Sequence, residues 1–118
     1  MADLSIQVRE ADDLAVLAPD GFINAHTVRQ FESALEDLVK AGKFTILLDC
    51  ERLNYISSAG LGAIMGLIET VRENRGDILL CSLQENVFAI FDTLGFTQLY
   101  RVFANETEAR KALAESAE

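Results

Sequence analysis

The stretch Leu53-Asn54-Tyr55-Ile56-Ser57-Ser58-Ala59-Gly60-Leu61-Gly62-Ala63-Ile64-Met65-Gly66 lies at the centre of the chain, and the fold turns on how it is read. From Ser58 onward Leu61, Ile64, Met65, Ile68 and Val71 recur at helical spacing. They predict a helix from Ser58 to Arg75, closed by Gly76, with those five residues as its core stripe. Glu51 to Ser57 reads as a connecting loop. One of the two serines at the junction is expected to cap the helix, its hydroxyl accepting an amide that has no acceptor in the first turn. The side bearing Gly62, Ala63, Gly66 and Leu67 is almost uncharged for two turns, so it is either packed under a neighbouring helix or offered to a partner. A helix N-terminus also favours a phosphate, through its free N–H groups and the positive end of the dipole. A phosphoserine there adds roughly −1.5 to −2 charges, which a fold tolerates and a close protein interface does not. A switch that acts on binding is therefore available at Ser57 or Ser58.

Upstream, Thr45 to Asp49 is a continuous apolar run, the pattern of a strand covered on both faces. Val28, Phe31, Leu35, Leu38 and Val39 predict an amphipathic helix that stops at Gly42. Before it lies the loop Phe22-Ile23-Asn24-Ala25-His26-Thr27, with Asn24 and Thr27 as N-cap candidates. Leu4, Ile6 and Val8 alternate with polar residues, and Leu14 to Ala18 is a second short run ended by Pro19-Asp20-Gly21. Joined by the polar turn Glu10-Ala11-Asp12-Asp13, the two are expected to form a hairpin. Downstream, the pattern predicts a strand from Ile78 to Cys81, a helix from Asn86 to Leu94 closed by Gly95, and a short strand around Tyr100 and Val102. Asn105 with Glu108 reads as a capping box for a last helix to about Ala114. Glu115-Ser116-Ala117-Glu118 is expected to fray. The order implies one α/β domain over residues 1–118: a small mixed sheet opening with a hairpin, then alternating helices and strands, with the helices packed against the sheet.

Bulk properties narrow the function. The 118 residues are 50% hydrophobic and 25% charged, a globular composition, and carry a formal net charge of −9. With its basic residues scattered, the chain is a poor ligand for nucleic acid or an anionic membrane, and a partner with a basic face fits better. No apolar run is long enough to span a bilayer, and Met1-Ala2-Asp3-Leu4 does not open a secretory signal, so a cytoplasmic location is expected. Cys50 and Cys81 end apolar runs and read as buried reduced thiols, with neither the spacing nor the further ligands of a metal site. His26 is the single histidine, and no Gly-x-Ser-x-Gly run is present, which argues against an enzyme and against any cofactor. Gly60, Gly62 and Gly66 do not have the dinucleotide-binding spacing. Asp49 and the Asp12-Asp13 pair invite comparison with a receiver domain. That fold requires a helix between the first two strands and a late lysine, and the chain offers a turn and Arg101 instead.

At Asn54 to Gly66 the chain resembles the STAS family, in particular the bacterial anti-sigma-factor antagonists, which carry an Asp-Ser-Ser/Thr/Ala-Gly-Leu-Gly type of run at the start of their second helix. The Gly21 turn, the strand ending at Asp49, the Phe91-Asp92-Thr93-Leu94-Gly95-Phe96 stretch and the Asn105 to Leu113 helix extend the resemblance along the chain. It implies the STAS fold and a partner-switching role. The unmodified antagonist binds an anti-sigma factor that is also a serine kinase, phosphorylation ends binding, and a serine phosphatase resets the cycle. Carried onto this sequence, the phosphorylated residue is Ser58, with Ser57, standing where many members have Asp, as the rival. The implied partner surface comprises Phe22, Ile23, Asn24, Asn54, Tyr55, Ile56, Ser57, Ser58, Gly60, Leu61 and Gly62. Phe22, Ile23, Tyr55 and Ile56 are expected to be exposed there as one hydrophobic patch. The alternative within the family is a stand-alone subunit that binds a transporter ATPase or another signalling complex without phosphorylation.

Overall fold

The computed structural model describes residues 3–11 and 14–116. β1 (Leu4–Ala11) and β2 (Leu14–Ile23) form the expected antiparallel hairpin, Leu4 opposite Gly21 and Ala11 opposite Leu14. Asp12 and Asp13 of its turn lie outside the described residues. β2 does not end at Pro19; it runs through it. The Phe22 amide donates to the Asp3 carbonyl at 3.1 Å, so by the alternation of an antiparallel ladder Pro19 and Ile6 form a non-hydrogen-bonded pair. The missing N–H of Pro19 therefore points away from β1, where β2 is changing neighbours. Ala15 to Leu17 pair in parallel with β3 (Thr45–Asp49), and Gly21 to Ile23 pair in parallel with β4 (Leu53–Ile56). A proline is tolerated where no ladder needs its donor.

β4 corrects the reading of Glu51 to Ser57 as loop. Leu53 pairs with Gly21 and Tyr55 with Phe22, leaving Asn54 as the extra residue of a bulge. That extra residue breaks the two-residue alternation by which a strand is recognised in sequence. Parallel pairing of β3 with β5 (Asp77–Cys81), and of β5 with β6 (Val102–Phe103), completes a six-stranded sheet of order β1-β2-β3-β5-β6, with β4 on β2.

The helices are α1 (Val28–Lys40), α2 (Ser58–Glu73), α3 (Glu85–Thr93), α4 (Phe96–Leu99) and α5 (Glu106–Ser116). The short α4 was not expected from periodicity. Gly95, with φ +80°, breaks α3 from it, and Phe96 then packs edge-on against Phe91 and stacks on Tyr100. Asn105 caps α5 through the Glu108 amide at 2.9 Å. The helix holds through Glu115 and Ser116, past the expected fraying point, and Ala117 and Glu118 lie outside the described residues.

Two cores sit on the two faces of the sheet. The larger joins Ala15, Leu17, Ile46, Leu48, Ile78 and Leu80 to Phe31 and Leu35 of α1, Leu61, Ile64 and Val71 of α2, and Val87 and Phe91 of α3. The smaller joins Leu14, Val16, Leu47, Leu79 and Cys81 to Ala109, with Leu113 partly buried against it. Alternation along the strands explains why Cys50 and Cys81 stay free although the Cys50 amide donates to the Cys81 carbonyl at 3.0 Å. One thiol lies in each core, pointing to opposite faces, which no disulfide geometry can join. Burial pushes the Cys81 thiol up to about 11 and the Cys50 thiol higher still, so both stay protonated and unreactive near neutral pH.

Candidate functional site

α2 starts where β2 and β4 end. The Ser57 amide donates to the Ile23 carbonyl at 2.8 Å, tying the helix entrance to the end of β2. Ser57 has extended backbone (φ −84°, ψ 168°), and its hydroxyl accepts the Gly60 amide at 3.3 Å; it is the N-cap. The two serines therefore have different duties. Ser57 is half-buried and holds the helix start. Ser58 is the first helical residue, exposed, and its hydroxyl makes no hydrogen bond among the described residues. The Ser58 and Ala59 amides are first-turn donors without an intrahelical acceptor, so a negative group on the Ser58 hydroxyl would meet free N–H groups and the positive helix end.

The rest of α2 explains what surrounds Ser58. Gly60, Leu61, Ala63, Ile64 and Val71 are buried, with Leu67 and Ile68 packed partly against the same core. Gly60 is required by close approach: a Cβ there would lie 2.7 Å from both the Ile23 Cγ2 and the Ile56 Cγ1. Gly62 and Gly66 face open space. At about 100° per residue, Ser58, Gly62, Met65 and Glu69 fall on one outer line, flanked by Ala59 and Gly66. Met65 is 50% exposed, so it belongs to this outer line and not to the expected core stripe, where Ala63 takes a place instead. The expected bland back divides: Gly62 and Gly66 are exposed, whereas Ala63 is buried and Leu67 packs partly against the larger core. No charge interrupts the exposed outer line before Glu69.

The structure divides the expected hydrophobic patch. Phe22 and Tyr55 are 47% and 43% exposed and stand opposite each other across the β2–β4 ladder. Ile23 and Ile56 are 0% and 1% exposed and lie in the larger core, as do Leu61 and the buried Gly60. Ile23, Ile56, Gly60 and Leu61 are thus removed from the contact surface, because each alternates with an outward neighbour and points at the packing between helix and sheet. The same alternation puts Phe22 and Tyr55 on the sheet face that α2 does not cover. The aromatic pair looks out on one side, the outer line of α2 on the other, and Ser57-Ser58 crosses between them at the end of the sheet.

Asn24 is spent inside its loop. Its Oδ1 accepts the amides of His26 at 2.9 Å and Thr27 at 3.2 Å. Thr27 does not cap α1 through its side chain; its buried hydroxyl donates to the Phe22 carbonyl at 2.7 Å and accepts the Asn24 amide at 2.9 Å. That network fixes the backbone that carries Phe22. Asn54 remains exposed, and two residues not identified from sequence brace it. Gln84 Nε2 donates to its Oδ1 at 3.2 Å, and Asn86 Nδ2 donates to its carbonyl at 2.8 Å. Amide side chains at the start of a helix carry no pattern that announces such a reach, so only the fold shows it.

The STAS domain family model matches residues 5–109. The chain belongs to the STAS domain family. Among curated STAS relatives, BtrV of Bordetella bronchiseptica, a candidate anti-sigma factor antagonist, is 31% identical over 97% of both chains. The anti-sigma-B factor antagonist of Listeria monocytogenes is 25% identical over 85% of this chain and 89% of its own. Among solved structures, the anti-sigma factor antagonist SpoIIAA in its unphosphorylated form superposes with a TM-score of 0.81 at 21% identity, covering 94% of this chain and 97% of that one. The STAS resemblance read from Asn54 to Gly66 thus holds for the whole fold. No helix among the described residues is long and apolar enough to cross a membrane.

Proposed function

We propose that the chain is an anti-sigma factor antagonist that binds its target when unmodified and releases it when Ser58 is phosphorylated. The observation that carries this reading is the division of labour between the two serines. Ser57 holds the helix, which leaves the exposed Ser58 hydroxyl with no structural duty in the middle of an uncharged surface. The proposed partner is an anti-sigma factor with serine kinase activity, reset by a serine phosphatase, acting in the cytoplasm. Its contact surface is Ser58, Gly62 and Met65 on one side of the sheet end and Phe22 and Tyr55 on the other, with Asn54 between. The chain itself is read as a binding protein and not an enzyme: among the described residues no side chain hydrogen-bonds the Ser58 hydroxyl to activate it. Titrating the anti-sigma factor of the same genome against Ser58→Ala and Ser58→Asp tests the proposal. Ser58→Ala is expected to bind like the parent chain. Ser58→Asp is expected to bind at least about tenfold more weakly while melting within a few degrees of it. Equal binding of both would remove Ser58 from the switch.

A further inference from the structure

The face of the sheet opposite α1, α2 and α3 is only half covered. α5 closes the part built from Leu14, Val16, Leu47, Leu79 and Cys81, and the C-terminal half of β2 stays open. A groove of about 350 Å³ lies in that open half. Its origin is topological. β2 leaves β3 after Leu17 and takes up β4 at Gly21, so a split opens over Ala18 and Pro19. One wall is Ser5, Gln7 and Arg9 of β1, and the other is Asp49, Glu51 and Arg52, from the end of β3 and the turn that follows.

The charges of the groove do not balance internally. Asp20, Asp49 and Glu51 meet two guanidiniums, and both of those are engaged. Arg9 is bonded to Glu106 of α5 at 2.6 Å, and Arg52, a largely exposed side chain, sits 3.8 Å from Asp20. Neither Asp49 nor Glu51 takes part in an ion pair among the described residues. Asp20 and Phe22 are two residues apart on the same face of β2, so the exposed Phe22–Tyr55 pair lies beyond the Asp20 end of the groove.

We propose that this groove docks an extended, arginine- or lysine-bearing segment of the protein partner. An apolar group of that segment covers Phe22 and Tyr55, and its cation enters between Gln7, Asp49 and Glu51. Asp20 and Arg52 form a displaceable lid, because an incoming guanidinium competes with Arg52 for the Asp20 carboxylate. The identity of that partner as an anti-sigma factor rests on the function proposed above; the chemistry of the groove does not.

The test is a nitrogen-15 NMR titration of the whole chain with a short peptide of alternating arginine and glycine. It compares the parent chain with Glu51→Lys and with Glu36→Lys, which makes the same charge change on the exposed side of α1. Saturable shifts at the Gln7, Asp20 and Glu51 amides are expected, weakened at least about fivefold by Glu51→Lys and little changed by Glu36→Lys. Equal weakening by both variants, or shifts spread over the acidic side of α1, would reduce the groove to general charge attraction and overturn the proposal. The same two variants measured against the anti-sigma factor separate the two ideas. If the parent chain does not bind that protein, the functional reading fails while the peptide result stands. If the parent binds it and Glu51→Lys binds equally well, the groove is not part of the interface.

Discussion

Three glycines in α2 offer a stringent test of how closely that helix lies on the sheet. Alanine in place of glycine within a helix stabilises by up to about 1 kcal/mol through backbone propensity. At Gly62 and Gly66 the new methyl group meets nothing within 4 Å, so this gain is expected in full. At Gly60 the Cβ falls 2.7 Å from a carbon of Ile23 and another of Ile56. Both isoleucines are buried and branched at Cβ, so neither side chain can swing aside, and forcing the helix away from them costs about 1–3 kcal/mol. The propensity gain is also smaller at Gly60, which lies in the first turn. For a domain of this size 1 kcal/mol moves Tm by about 4 °C. Gly60→Ala is therefore expected to melt about 4–8 °C lower than the parent chain, and Gly62→Ala and Gly66→Ala about 2–4 °C higher. Calorimetry with urea unfolding as a second probe measures the series. Gly60→Ala melting at or above the parent chain would refute the close contact of α2 with β2 and β4, and with it the burial of Ile23 and Ile56.

Other expectations follow from single contacts. Ser57→Ala removes the cap of α2 and is expected to cost about 0.5–1 kcal/mol, whereas Ser58→Ala stays within about 0.5 kcal/mol of the parent in urea unfolding. The reverse order would exchange the roles of the two serines. Phe22→Asp and Tyr55→Asp are expected to leave the melting curve nearly in place and weaken partner binding in calorimetric titration. Ile23→Asp and Ile56→Asp, which bury a charge, are expected to unfold the domain. Glu106 is held below the ordinary glutamate range by its bond to Arg9 and then by Arg110. A lowered folded-state pKa gives stability that is complete above the unfolded value of about 4.3 and is lost as pH falls through the folded value. Glu106→Gln is thus expected to flatten the acid limb of the stability profile below that value and to loosen α5 from β1.

Much of this architecture could be read before the fold was known, because the elements that carry it obey simple periods. α1 buries Phe31, Leu35 and Leu38 at helical spacing, and β3 is apolar through Ile46, Leu47 and Leu48, where both of its faces are covered. β4 reads as loop in the sequence because the bulge at Asn54 shifts the pattern by one residue. That shift also hides which of Tyr55 and Ile56 faces solvent, and so the expected patch included two isoleucines that the core claims. In the sequence Pro19 reads as a strand end, because its tolerance depends on where β2 changes neighbours, a fact of tertiary pairing alone. Met65 has the spacing of a core residue from Leu61 and Ile68, but the helix turns just far enough to carry it past the edge. The serine pair stands out in the sequence, but the separate duties of its two members depend on one hydrogen bond, Gly60 to Ser57.

The central claim is that Ser58 carries the switch and Ser57 only the helix. Incubating the chain with its anti-sigma kinase and ATP, followed by site-localised mass spectrometry, tests this most directly. Phosphate on Ser58, its absence from Ser58→Ala, and its persistence on folded Ser57→Ala are the predicted results. Phosphate on Ser57 with Ser58 untouched, or no phosphate in a complex that still forms, would contradict the account.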